Sequence, residues 1–167
     1  MADILEVVFT DAGIELLIKG FGSAAYGALA GIDSFKVGEG GYITAVGGAV
    51  PRDSSEHVAE TDIDIIVDAG RPSVSKRYAS PSTTPYFQKS LTSGDFDYSE
   101  DSSPTLHVSC ILDFGEYNDD GDGNAPEIWE IGLFAGSDMV AYGTFEKQTK
   151  APDVRLVNVV RLQLARG

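Results

Sequence analysis

The run NDDGDGN is the first place to look for chemistry. Asn118, Asp120 and Asp122 stand at alternate positions, followed by Gly123 and Asn124. Alternating oxygen ligands with a glycine at the sharp bend are what a calcium loop of the D-x-[DN]-x-[DN]-G type requires. The pattern departs where such a loop opens and closes. Its first ligand is Asn118 rather than Asp, its twelfth position is Trp129 rather than a bidentate carboxylate, and Glu130 comes one place late. The flanks also read as strands, not helices. The plainer reading is an acidic Asp120-Asp122-Asn124 turn between strands, and no metal ligand is assigned.

Other chemistries lack a necessary part. KGFGSAA fits the G-x-G-x-x-A dinucleotide pattern, with Glu39 at the distance of a ribose-binding acid. That motif should follow a strand and open a helix, whereas here it follows a helical pattern. Gly27 and Gly31 would weaken the helix after it by about 1 kcal/mol each. Nucleophilic catalysis would need a G-x-S-x-G elbow, which is missing. His107 and Ser109 share one face of a strand pattern and read as a polar stripe. His57 and Glu60 are spaced for two zinc ligands, but no further His or Cys completes a set. Cys110 alternates with Leu106, Val108 and Leu112, the placement of a small buried hydrophobe. The carboxylates between Asp95 and Asp122 could in principle flank a sugar cleft, but acids are too abundant here to single out a pair. No catalytic residue, cofactor or metal is expected.

The charge balance narrows the partners. The 167 residues include 26 acids and 12 bases, a net charge of −14. Such a field repels nucleic acid and anionic membrane surfaces. Between Ser90 and Glu146 there are 13 acids and no Lys or Arg, while from Lys147 onward five bases face only Asp153. A solvated acidic surface is the plain reading. The basic tail could also lie beside the acidic middle or meet a neighbouring copy. The start MADILEVVF lacks a charged n-region, and no apolar run is long enough to span a bilayer, so a soluble protein folded in a cytoplasm is expected.

These residues must be positioned by a mainly β chain. Thr10 or Asp11 is an N-cap for a short helix with Ile14, Leu17 and Ile18 as its apolar stripe, stopped by Gly20 and Gly22. Strands are expected over about 34–37 and 63–67, with polar loop from Ala49 to Glu60. Residues 71–104 are a long irregular loop carrying Tyr78, Tyr86, Phe87, Phe96 and Tyr98, with YFQKSL as a short edge strand. Beyond Pro104 come a strand over Thr105–Phe114 and a hairpin of Ile128–Phe134 with Met139–Phe145 across AGSD. Trp129, Ile131 and Leu133 face one way, and Ile128, Glu130 and Phe134 the other, so the hairpin belongs at the centre of the protein or at an interface. VRLVNVVRLQL closes the chain as a half-buried antiparallel strand whose apolar face is interrupted by Asn158. The sum is an antiparallel β-sandwich-like single domain over residues 1–167, with one N-terminal helix (α+β).

Several of these segments, in this order, carry a resemblance. TDAGIELL, FKVGEGG, EIWEIGLFAGSDMVAYGTF followed by KQTKAP, and the closing VRLVNVVRLQL resemble the N-terminal, baseplate-attachment domain of bacteriophage tail-fibre proteins. Glu130, Ile131, Gly132, Leu133 and Phe134 match that family's E-I-G-L-F hairpin, and Ala141 and Gly143 its A-x-G. Glu39 replaces the usual turn Asp, and Ala135 replaces the Asp after Phe134. Fibre proteins continue into a trimeric shaft and a receptor-binding tip, whereas this chain stops at Gly167. The resemblance therefore implies the attachment piece alone: a structural virion component, made in the host cytoplasm and assembled into the tail. Its partners would be other tail or baseplate proteins and fibres, with its own copies arranged as a trimer or in six-fold symmetry. The alternative is a host-surface or glycan-binding tail module acting through the aromatics of 71–104.

Overall fold

The computed structural model describes residues 3–22, 31–57, 86–99, 105–119 and 123–163. In chain order the elements are β1 (Asp3–Glu6), β2 (Val8–Phe9), α1 (Asp11–Gly22), β3 (Ser34–Gly38), β4 (Tyr42–Ala45) and β5 (Gly48–Pro51). Then follow β6 (Tyr86–Ser90), β7 (Phe96–Ser99), β8 (Thr105–Leu112), β9 (Glu127–Ala135), β10 (Asp138–Thr149) and β11 (Leu156–Gln163). One sheet runs β1-β11-β8-β7, a second runs β2-β10-β9-β3-β6, and β4-β5 forms a separate ribbon. Val108, Cys110, Leu112, Val160 and Leu162 from the first sheet share one hydrophobic cluster with Phe35, Val37, Ile131 and Leu133 from the second. The two sheets therefore pack face to face. Among the described residues the chain is mainly β with one short α-helix, as its alternating segments imply. One pairing departs from the antiparallel expectation: β1 lies parallel to β11, with Asp3 opposite Asn158.

The β9–β10 hairpin turns at Gly136 and Ser137, with Ala135 opposite Asp138. Gly136 has φ +62°, which glycine adopts without the Cβ penalty that a hairpin's first turn position imposes on other residues. β9 is the central strand of its sheet, and both of its faces are buried. On the face away from the main core, Phe134, Met139 and Tyr142 form a second cluster, and the Lys36 ammonium lies 4.2 Å from the centre of the Phe134 ring. The hairpin is thus at the centre of the chain's own fold.

Two register breaks on β10 shape this packing. Between the pairs Met139–Phe134 and Ala141–Leu133, Val140 is an extra residue. This bulge frees two carbonyls that receive the helix: Thr10 N donates to Val140 O at 3.2 Å, and the Thr10 hydroxyl donates to Met139 O. The same hydroxyl accepts from Gly13 N at 3.1 Å, so Thr10 is the N-cap. A Cβ on Gly13 would fall 2.0 Å from Val140 O, so only glycine allows the helix this close. Docking through Gly13 and Leu16 turns Ile14 outward, where it is 46% exposed, against the stripe read from spacing. The helix also passes through Gly20 and extends to Gly22, because interior glycine weakens a helix without breaking it. The second break, from Thr144–Glu130 to Gln148–Ile128, sets three residues of β10 against Trp129 alone on β9. Ile128 belongs to the main core cluster, contrary to strict alternation along β9.

Other expectations are corrected where glycine-rich and polar composition hid strands. The stretch 49–60 contains part of β5 and a 3-10 turn at Ser54–His57. Within 71–104, β6 is the expected edge strand, but β7 and a 3-10 turn at Ser93–Asp95 are also ordered by pairing and by a capping box from Thr92. The strand expected at 63–67 lies outside the described residues.

Asn158, the polar break in the closing strand, is buried and answers to a partner. Its amide and that of Gln148 exchange two hydrogen bonds, of 2.9 and 3.0 Å, across the two sheets. Asn158→Leu alone strands one amide and is expected to cost about 1–3 kcal/mol. The double variant with Gln148→Leu should recover most of that loss. Urea midpoints of the two variants against the parent check it.

Candidate functional site

The most constrained non-core region lies where β3 leaves its sheet. β3 ends at Gly38, directly opposite Glu130. The chain then bends through Glu39, Gly40 and Gly41 into the β4–β5 ribbon. Glu130 is fully buried and accepts twice, from Gly40 N at 3.0 Å and from the Tyr142 hydroxyl at 2.7 Å. Glu39 is buried as well and accepts from Glu127 N at 2.9 Å. Gly41 has φ +76°, and a Cβ there would sit 2.9 Å from Glu130 Cβ and 3.1 Å from the Tyr142 hydroxyl. Glycine is required there by both conformation and space.

The far end of the ribbon is tied down too. Arg52 N donates to Gly41 O at 2.9 Å, closing the base. Thr144 N donates to Ser54 Oγ at 3.0 Å, and the Thr144 hydroxyl donates to Arg52 O. At the root of the ribbon, the Tyr42 ring meets Trp129 at 4.8 Å between centroids. Beyond this clamp the ribbon projects. Ile43 and Val50 are 38% exposed, and Val46 at the tip is fully exposed. No charged residue occurs between Glu39 and Arg52. In a chain of net charge −14, this is an uncharged, apolar projection on a rigid base. Alternation of Tyr42, Thr44 and Val46 around Gly47-Gly48 was the available signal for it, and the glycines masked that signal.

A second polar group ties the two sheets together. Lys89 on β6 donates to Asp113 at 3.2 Å, Glu116 at 2.8 Å and Ile111 O at 3.1 Å, while Arg155 donates to Asp113 at 2.9 Å. The basic tail thus meets the acidic middle within one chain, and Lys147 pairs likewise with Glu127 at 2.7 Å. These ion pairs border a cleft of about 240 Å³ between β6 and β8. Its charges are spent on one another, so it does not present a catalytic pair. Hydrogen bonds from Arg155 and then Lys89 hold Asp113 below the usual carboxylate range. Burial works against the Glu116 charge, but hydrogen bonds from Lys89 and Asp113 N outweigh it and lower its pKa. Burial also opposes the Lys89 ammonium, and its bonds to Glu116 and Asp113 prevail, raising its pKa.

The residues considered for chemistry are dispersed. Asn118 donates to Phe114 O at 2.6 Å and accepts from Lys150, so its oxygen is already engaged. Asp120 and Asp122 lie outside the described residues, Gly123 and Asn124 are exposed, and Trp129 and Glu130 are inside β9. Among the described residues, no three His, Cys, Asp or Glu side chains gather as a metal site. Gly20 and Gly22 lie within α1, and Glu39 is held at the clamp, so the dinucleotide arrangement does not form. His107 and Ser109 are half-buried on β8, His57 ends a 3-10 turn, and Glu60 is outside the described residues. Cys110 is buried and free, and burial pushes its thiol up, far from a reactive thiolate. Asp95 accepts from Thr92 N at 2.7 Å in its capping box. Of the aromatics, Phe87 packs on the core and stacks with Tyr117 at 5.5 Å, Phe96 packs on the core, and Tyr98 is 58% exposed. Tyr78 lies outside the described residues. Among the described residues, no helix is long and apolar enough to cross a membrane. No family model, no curated protein and no solved structure matches the chain.

Two outcomes follow from this geometry. Tyr142→Phe removes one donor to a buried carboxyl and should cost about 1–3 kcal/mol, with Gly41→Ala costing more because strain adds to the clash. Chemical denaturation of both variants checks the order. For the ion-pair group, the carboxylates have lowered folded pKa values. Their contribution is present above the unfolded values and is lost as pH falls through the folded ones. The Lys89 contribution runs oppositely and is lost only as pH rises past its raised value, so the group is intact at neutral pH. Thermal midpoints should therefore fall below about pH 4, and Lys89→Met should flatten that fall. An unchanged acid limb in the variant would exclude this group as the cause.

Proposed function

We propose that the chain is a non-enzymatic structural component of a bacteriophage tail, attaching or bridging fibres to the baseplate or tail. One contact carries this reading. Gly40 in FKVGEGG donates to Glu130 in EIWEIGLF, so two segments of the tail-fibre resemblance, 90 residues apart, build one clamp. The clamp presents an uncharged ribbon whose strands pair only with each other among the described residues. Such a ribbon is suited to docking on a neighbouring subunit by strand addition and apolar contact. The net charge of −14 favours protein partners over packaged DNA or a membrane. Copies related by a three-fold or six-fold axis would each offer the same ribbon to the next tail protein or fibre. The inward packing of Phe87 and Phe96 removes two of the aromatics on which a host-glycan reading would rest.

Quantitative mass spectrometry of purified virus particles tests the proposal. The protein is expected in fixed copies divisible by three or six relative to the tail-tube protein. Absence from the particle would overturn the reading. Val46→Asp at the ribbon tip should leave the fold intact and lower incorporation several-fold.

A further inference from the structure

We propose that Lys150 and Asn118 are poised to join in an intramolecular isopeptide bond, fastening the end of β10 to the loop between β8 and β9. Lys150 is fully buried, an uncommon position for a lysine. Its Nζ donates to Asn118 Oδ1 at 2.6 Å and to Ala151 O at 3.0 Å. Among the described residues its ammonium is held by these two neutral oxygens and by no carboxylate within ion-pair distance. For an ordinary hydrogen-bond angle at a carbonyl, that contact leaves Nζ about 3–3.5 Å from Asn118 Cγ, and a rotation of the Asn118 amide that turns its face toward the deprotonated amine completes the approach.

Both reactants are fixed from behind. Asn118 Nδ2 donates to Phe114 O at 2.6 Å, which orients the amide with its oxygen toward the lysine. The Lys150 backbone N donates to Pro126 O at 3.0 Å, which anchors the strand end. Burial lowers the Lys150 pKa and so raises the share of neutral, nucleophilic amine. The opposing negative charges are Glu116 first, then Asp113 and Asp153.

The step balances without an outside reagent. Lys150 Nζ forms a bond to Asn118 Cγ, the Cγ–Nδ2 bond breaks, and ammonia leaves carrying the surplus lysine proton as ammonium. The reaction need occur only once in each molecule, so a slow rate suffices. The product closes a ring across 32 residues of sequence around the β9–β10 hairpin. A covalent tie there restricts the unfolded chain as other cross-links do.

Intact mass spectrometry of the denatured full chain is the test. The expected mass is one ammonia, about 17 Da, below that of the sequence. A protease digest should contain one branched peptide joining the segments around Asn118 and Lys150, with no cleavage after Lys150. Asn118→Ala and Lys150→Arg should each restore the full sequence mass, a readout that does not depend on the variants folding. A wild-type chain at full mass would overturn the proposal. So would a loss of ammonia without the branched peptide, since a succinimide at Asn118 gives the same mass change.

Discussion

A buried carboxyl group organises the middle of this fold. Glu130 sits on the central strand of the larger sheet, wholly out of water, where an unmatched carboxyl would be costly. It is matched by one backbone donor and one side-chain donor, and each match constrains other residues. The Gly40 donor fixes how the chain leaves β3, which forces the left-handed conformation at Gly41. The Tyr142 donor requires β10 to present that residue on the same side as Glu130. The extra residue at Val140 achieves this by shifting the alternation of β10 by one place.

That same irregularity links the sheet to the helix. Unpaired carbonyls at Met139 and Val140 would be a defect in a regular ladder. Here they become acceptors for the Thr10 cap, and Gly13 lets the helix backbone settle on them. The cap, the bulge and the Glu130 contacts are therefore one connected arrangement spanning the helix, the hairpin and the base of the ribbon.

Much of the framework was legible because it is local. The alternation of β8 and β11, the AGSD turn and the Thr10 cap all declare themselves within a few residues, and the structure agrees with each. What escaped depends on distant partners. β1 and β2 are too short for periodicity to register, and β1 pairs with a strand more than 150 residues further along the chain. Ile128 joins the main core on the side opposite to the one that alternation along β9 implies. The ribbon was hidden by the glycines that allow it to turn. Glu130 stood out as part of a motif, but its role depends on a donor 90 residues earlier. Asn158 looked like an interruption until Gln148 supplied its match across the sheets.

The pairing of β1 with β11 bears on the order in which the molecule can assemble. β11 lies between β1 and β8, so the smaller sheet lacks an inner member until residues 156–163 have left the ribosome. The larger sheet needs nothing beyond Thr149 and can form first, but of the facing sheet only β1, β7 and β8 are then present, without the strand that joins β1 to β8. Synthesis at about 5–20 residues per second makes this interval short, though long beside hydrophobic collapse. During that window the nascent chain is exposed to aggregation and to capture by chaperones. Arrival of β11 closes the sandwich in a late step that joins β1 to β8.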